Sequence, residues 1–181
     1  SQDTMTQVYD VNGHLLGSDW TGTSQGVSNS TVSQGSNRFI LDINGNPVSS
    51  KGSGSSTTTQ FNSNGQVTGS SKTQNSNIST FDANGNQISS TDTSKTTQFD
   101  SSGLITTGSS TQENTNTTTF DSLGNWTGST WTSKDMQFNA QGTLLSGIKS
   151  QSNNVQNFDV NGNLTGSTDT RTDTWLDASG N

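Results

Sequence analysis

Phe81-Asp82-Ala83-Asn84-Gly85-Asn86-Gln87-Ile88 is the stretch on which the reading of this chain turns. An aromatic residue ends an extended segment, Asp opens a turn by accepting hydrogen bonds from the backbone just ahead, and Gly supplies a positive φ. An apolar residue then returns, placed to pack beside the Phe across a hairpin. Together these features predict two strands joined by a type I turn with a Gly bulge.

The same pattern recurs along the chain, which makes self-similarity the first fact about the fold. It appears at Tyr9-Asp10…Gly13, Leu41-Asp42…Gly45, Phe61-Asn62…Gly65, Phe81-Asp82…Gly85 and Phe99-Asp100…Gly103. Four more copies follow at Phe120-Asp121…Gly124, Phe138-Asn139…Gly142, Phe158-Asp159…Gly162 and Leu176-Asp177…Gly180. Alternating stretches such as Thr117-Thr118-Thr119-Phe120 precede the turns and suit strands with one protected face. After the glycines, apolar residues return at Leu16, Val48, Val67, Ile88, Ile105, Trp126, Leu145 and Leu164. Tyr9, Phe61, Phe81, Phe99, Phe120, Phe138, Phe158, Trp175 and Leu176 are the expected core, a thin one shared between neighbouring units.

From Gly65 onward the turn glycines lie 20, 18, 21, 18, 20 and 18 residues apart by their numbering. This alternation predicts a double repeat of about 38 residues, read as roughly four strands. Successive hairpins must then sit in different environments, as on the two faces of a two-layer stack. A four-stranded propeller blade has a similar period, but one aromatic and one aliphatic residue per unit favour an open, elongated, β-solenoid-like stack of hairpins. The expected organisation is a single array over residues 1–181. Residues 1–38 form an irregular N-terminal cap, with a motif-free insertion from Gly26 to Gly35 read as a loop or cap. Residues 39–181 form the regular repeats. The last motif is followed by a single residue, Asn181, so Thr172-Asp173-Thr174-Trp175-Leu176 reads as half a hairpin, an edge that another subunit could complete.

Composition sets the limits. Only 22% of the 181 residues are hydrophobic, against roughly 45–50% (Gly included) in ordinary domains. Ser (32), Thr (31), Asn (21) and Gln (14) total 98 residues, so a single compact core cannot offset chain entropy. Disorder is the competing reading. The fixed apolar spacing, a single Pro and a net charge of only −7 oppose it. With no cysteine, disulfides and thiolate metal sites are excluded. The seven Lys and Arg residues are scattered in sequence, which argues against a nucleic-acid partner. No apolar run is long enough to predict membrane insertion or a signal segment. The opening Ser1-Gln2-Asp3 suits a mature end left by a signal peptidase. A Ser-, Thr- and Asn-rich, Lys- and Cys-poor chain fits a secreted or cell-surface setting.

The repeat resembles the tyrosine–aspartate (YD) repeats of Rhs-type and teneurin-type proteins. Phe81 to Asp92 and Phe158 to Thr165 carry the likeness, which extends over most of the chain from residue 39. The resemblance implies β-hairpins in long spiralling sheets and a scaffold role. Tyr is replaced by Phe in most copies here, and Gly-Arg after the turn is absent. The aromatic-turn-Gly repeats of choline- and glucan-binding modules are also similar. Thr-Gly-Ser stands here where those modules carry Thr-Gly-Trp, so their ligand cages do not transfer.

No catalytic residues and no cofactor are expected. The single histidine, His14, lies beside a turn, where a Ser–His–Asp arrangement is formally available but badly placed. The Asp-x-Asn-Gly turns at Asp10, Asp42, Asp82 and Asp159 echo the start of a calcium loop. Each offers one carboxylate where calcium takes six to eight oxygens, and turn chemistry explains them without a metal. Trp126 and Trp175 fall at or beside core positions. Trp20 and Trp131 fall outside them and are the candidates for subunit or ligand contact. Threonine runs suggest an ice-binding array, but Ser, Gln, Asn and Lys interrupt it. Low charge, little Pro and aligned Ser, Thr, Asn and Gln ladders instead predict self-association. The expected partner is the chain itself, joined head to tail by strand addition into an extracellular filament or biofilm-matrix fibre. The alternatives are a stalk or carbohydrate-binding segment of an adhesin, with glycans as partner, and a piece of an Rhs-type toxin shell.

Overall fold

A computed structural model describes residues 1–104, 106–121, 125–159 and 163–180. Gly124, Gly162 and Ile105, all named by the sequence reading, lie outside the described residues. The chain is all-β. Its strands are β1 (Gln2–Tyr9), β2 (Leu15–Gln25), β3 (Asn29–Leu41), β4 (Pro47–Phe61), β5 (Val67–Phe81), β6 (Gln87–Phe99), β7 (Thr106–Phe120), β8 (Trp126–Asn139), β9 (Leu144–Phe158) and β10 (Leu164–Leu176). They form one antiparallel sheet in strict sequence order, β1 to β10. Among the described residues, each strand contacts only its neighbours in the chain.

Every described copy of the motif builds the predicted turn. At the first, Gly13 donates its amide to the Asp10 carbonyl at 3.1 Å, and Asp10 donates its own to the His14 carbonyl at 2.9 Å. The glycines at 13, 45, 65, 85, 103, 142 and 180 all have φ between 71° and 85°, the left-handed region where a Cβ is penalised. The pairing slips by one residue at the Tyr, Phe or Leu that precedes each motif turn between strands, as at Gln60/Phe61, Thr80/Phe81 and Gln137/Phe138. This is a bulge. It makes Leu15, Pro47, Gln87, Thr106 and Leu144 the direct partners of Tyr9, Leu41, Phe81, Phe99 and Phe138, where Leu16, Val48, Ile88, Ile105 and Leu145 were expected. Phe61–Val67, Phe120–Trp126 and Phe158–Leu164 pair as the motif predicts.

Two expectations change. The segment from Gly26 to Gly35 is neither a loop nor a cap: it is the β2–β3 turn and the first half of β3, a hairpin closed by Gly26 donating to the Asn29 carbonyl at 2.8 Å. Its sequence lacks the motif, so the turn left no periodic signal. The 38-residue interval contains two long strands, not four short ones. Gly65 to Gly103, for example, spans β5 and β6, of 15 and 13 residues. Each inner strand is shared by two hairpins, and a meander of one layer results.

That layer has almost no interior. Leu176 is the one buried apolar side chain among the described residues. The other expected core residues lie in half-buried or exposed rows. Trp175, on the outer strand β10, is 76% exposed, and Tyr9 is 52% exposed. With water on both faces, order comes from the backbone ladders and from cross-strand pairs worth about 0.2–1 kcal/mol each. Hydroxyl pairs supply many of these, including Thr31–Thr58 (2.9 Å), Thr73–Thr96 (2.9 Å), Ser76–Thr93 (2.6 Å) and Thr80–Ser89 (2.6 Å).

Candidate functional site

In a meander, successive turns emerge at opposite ends of the strands. The turns at 10–13, 42–45 and 82–85 therefore share one end with those beginning at Asp121 and Asp159. The turns at 62–65, 100–103, 139–142 and 177–180 share the other. The ends differ chemically. Every turn at the first end opens with Asp and has Asn or His four residues on: Asp10/His14, Asp42/Asn46, Asp82/Asn86, Asp121/Asn125 and Asp159/Asn163. At Asp82, one carboxylate oxygen accepts the amides of Asn84 and Asn86 at 2.8 Å. The other accepts the Asn86 side chain at 3.0 Å. At the second end Asn62, Asp100 and Asn139 open the turns, followed by Gln66, Leu104 and Thr143. The residue after the turn glycine carries this alternation, and reading it in every second copy would have revealed the two ends from sequence.

These hydrogen bonds hold the carboxyls of Asp10, Asp42 and Asp82 below the usual aspartate value. The main causes are the His14 amide, the Asn46 amide and the Asn86 side chain respectively. A lowered folded-state pKa gives stability that is present above the ordinary value, near 3.9, and lost as pH falls through the lowered one. Acid titration followed by NMR is therefore expected to shift the Asn46 and Asn86 side-chain amides only below pH ~3.9. The Asn62 and Asn139 turns, which carry no carboxylate, are expected to stay unchanged over the same range. Equal responses at both ends would refute this assignment.

His14 is held by Asp10, Nδ1 to Oδ2 at 2.9 Å. Its ring also rests on the next turn at the same end, where a Cβ added to Gly45 would come within 2.7 Å of His14 Nε2. The imidazole thus joins two successive turns. Among the described residues no group of three or more His, Asp or Glu side chains is placed to hold a metal ion.

The two faces differ more than the two ends. Side chains alternate between faces along each strand, and the register carries this assignment across the sheet. One row crosses all ten strands: Met5, Trp20, Gly35, Gly54, Asn75, Ser94, Gln112, Asp135, Ile148 and Trp175. Trp131 lies on this same face, four residues before Asp135 on β8. The Trp20 indole lies over β3, since a Cβ added to Gly35 would meet its ring at 2.6 Å and one at Gly54 at 3.4 Å. Beside it runs a shallow groove of about 430 Å³ whose lining includes Asn37, Gly52, Asn77, Asp92 and Asn114. Asn37 Oδ1 there is buried without a hydrogen-bond partner.

The opposite face carries threonine pairs and runs two residues apart: Thr4/Thr6, Thr21/Thr23, Thr57/Thr59, Thr91/Thr93, Thr115/Thr117/Thr119, Thr130/Thr132 and Thr168/Thr170/Thr172/Thr174. It also carries Arg38, Lys51, Lys72, Lys95, Lys134 and Lys149. The lysines that look scattered in sequence thus share one surface. Arg38 is paired with Asp19 at 2.7 Å.

At the lateral limits of the sheet, among the described residues, β1 pairs only with β2, and β10 only with β9. Nearly all of both strands is exposed. The single proline, Pro47, lies in β4 opposite Leu41, so neither outer strand is blocked by a missing amide.

Comparison with known proteins adds no family. No protein-family model matches the chain, and no curated protein matches it.

Proposed function

We propose that this protein is a secreted structural subunit that polymerises edge to edge, by strand addition, into the ribbon of an extracellular filament or matrix fibre. The observation that carries this reading is that, in the described sheet, the outer strands β1 and β10 each pair on one side and run in opposite directions. A second copy's β1 can therefore join β10 as an antiparallel neighbour, keeping the same faces and the same turn ends. Such a contact is heterologous and does not close on itself, which is the condition for an open fibre. The up to eight residues of β1 supply the joint, mostly through backbone hydrogen bonds. An extracellular setting agrees with the Ser-, Thr- and Asn-rich, cysteine-free composition.

Electron microscopy of Thr170→Pro and Arg171→Pro chains tests the joint. Consecutive amides of a strand point to opposite sides, so one substitution removes an outward donor of β10 and the other breaks its ladder with β9. Fibres from the native chain, with loss of growth but not of sheet in one of the two variants, are the expected result. A native chain that stays monomeric at high concentration would sink the proposal.

A further inference from the structure

The charges of this chain are sorted by face. The threonine face holds six cations (Arg38, Lys51, Lys72, Lys95, Lys134, Lys149) and two anions (Asp19, Glu113), a net of 6 − 2 = +4. The tryptophan face holds one cation (Arg171) and five anions (Asp3, Asp92, Asp135, Asp169, Asp173), a net of 1 − 5 = −4. The seven turn aspartates complete the total of −7. Within the basic face, Lys134 lies directly opposite Lys149, and Arg38 directly opposite Lys51. Like charges directly opposite each other destabilise a strand pair. Asp19 on Arg38 and Glu113 opposite Lys134 offset part of this within the layer, and an anionic neighbour would offset the cations that remain, Lys51, Lys72, Lys95 and Lys149.

We infer that the sheet stacks face to face on further copies of itself, the threonine–lysine face of one copy seated on the tryptophan–aspartate face of the next. The occupant is a second copy because each face bears the charge that the other lacks, in equal amount. Ten strands about 4.8 Å apart, of 8 and 11 residues for β1 and β2 and 13–15 for the rest, give a face on the order of 2,000 Å². That exceeds the ~800 Å² per partner of a typical stable interface. Lysine stems and ammonium groups meet exposed indoles and carboxylates across such a contact, and both pairings are favourable. The Lys51, Lys72, Lys95, Lys134 and Lys149 side chains are all exposed and free to reach across. Because the two faces differ, the contact is again heterologous and adds layers without limit. It grows at right angles to the strand-addition edge and does not depend on it.

The test uses the native chain and two charge variants, with layer thickness read by atomic force microscopy and solution scattering. At low salt the native protein is expected to form layers in steps of about 10 Å. These should fall to single sheets near 1 M salt, where screening acts within about 3 Å. Lys51→Glu/Lys134→Glu/Lys149→Glu makes both faces acidic, and Asp92→Lys/Asp135→Lys/Asp173→Lys makes both basic. Each alone is expected to remain a single layer with native β circular dichroism, and an equal mixture is expected to layer again. Recovery in the mixture excludes simple misfolding. Edge-to-edge ribbon growth, read as length, should persist in both variants, so failure of either proposal is seen separately. Native chains that stay one layer thick at low salt, or that thicken only when a polyanion such as DNA is added, would overturn self-stacking. So would variants that layer as the native chain does, or a mixture that does not.

Discussion

Replacing Gly17 with alanine is expected to free the β1–β2 hairpin while β4 to β10 stay folded. A Cβ at this position would overlap the Asn37 carbonyl oxygen, which is backbone, and would crowd Arg38 Cδ at 2.9 Å. Neither β2 nor β3 can yield without losing the Gly17–Arg38 end of its ladder. Overpacking against backbone costs on the order of 3 kcal/mol, and among the described residues almost no core exists to absorb it. Because each described strand contacts only its sequence neighbours, the damage should stay local. Hydrogen–deuterium exchange is the measurement: protection should fall over Gln2–Gln25 and persist over Val67–Leu176. Uniform loss along the chain would mean that the sheet unfolds as one cooperative unit.

The second large effect separates two turns with nearly the same backbone. Gly45 and Gly85 have φ of 85° and 83°, so valine at either should cost about 1–2 kcal/mol for the left-handed conformation. At Gly85 a Cβ meets nothing within 4 Å, whereas at Gly45 it meets the His14 ring. Gly45→Val is therefore expected to cost about 1 kcal/mol more. The excess should vanish in a His14→Ala background, the test for coupling between neighbours. Urea titration of local exchange protection in the two hairpins gives the comparison. Equal costs in the native background would show that the imidazole moves aside freely and does not join the turns.

The chemistry of each turn needed nothing beyond the chain around it. Asp82 and Gly85 sit within four residues of every group they engage in the turn, so the local sequence carries the whole cause. The β2–β3 turn was missed for the matching reason. Gly26, Val27 and Ser28 close a hairpin without an aspartate or an aromatic, and Val27 points fully into water. The four-strand reading of the 38-residue interval failed differently. A continuous strand from Val67 to Phe81 looks, in sequence, the same as two short strands placed end to end. Only pairing along its whole length, from Phe61–Val67 through Ser49–Thr80, shows that it is one.

The sequence by itself determined that the chain is all-β, where six of its seven described turns between strands fall, and that no ordinary core can form, because these follow from local turn chemistry and composition. The tertiary structure decided what faces what. A one-residue shift of register moves every side chain of a strand to the other face. The gathering of Lys51, Lys72, Lys95, Lys134 and Lys149 on one surface, and of Trp20, Trp131 and Trp175 on the other, is therefore a property of pairing across strands, not of any stretch of the chain.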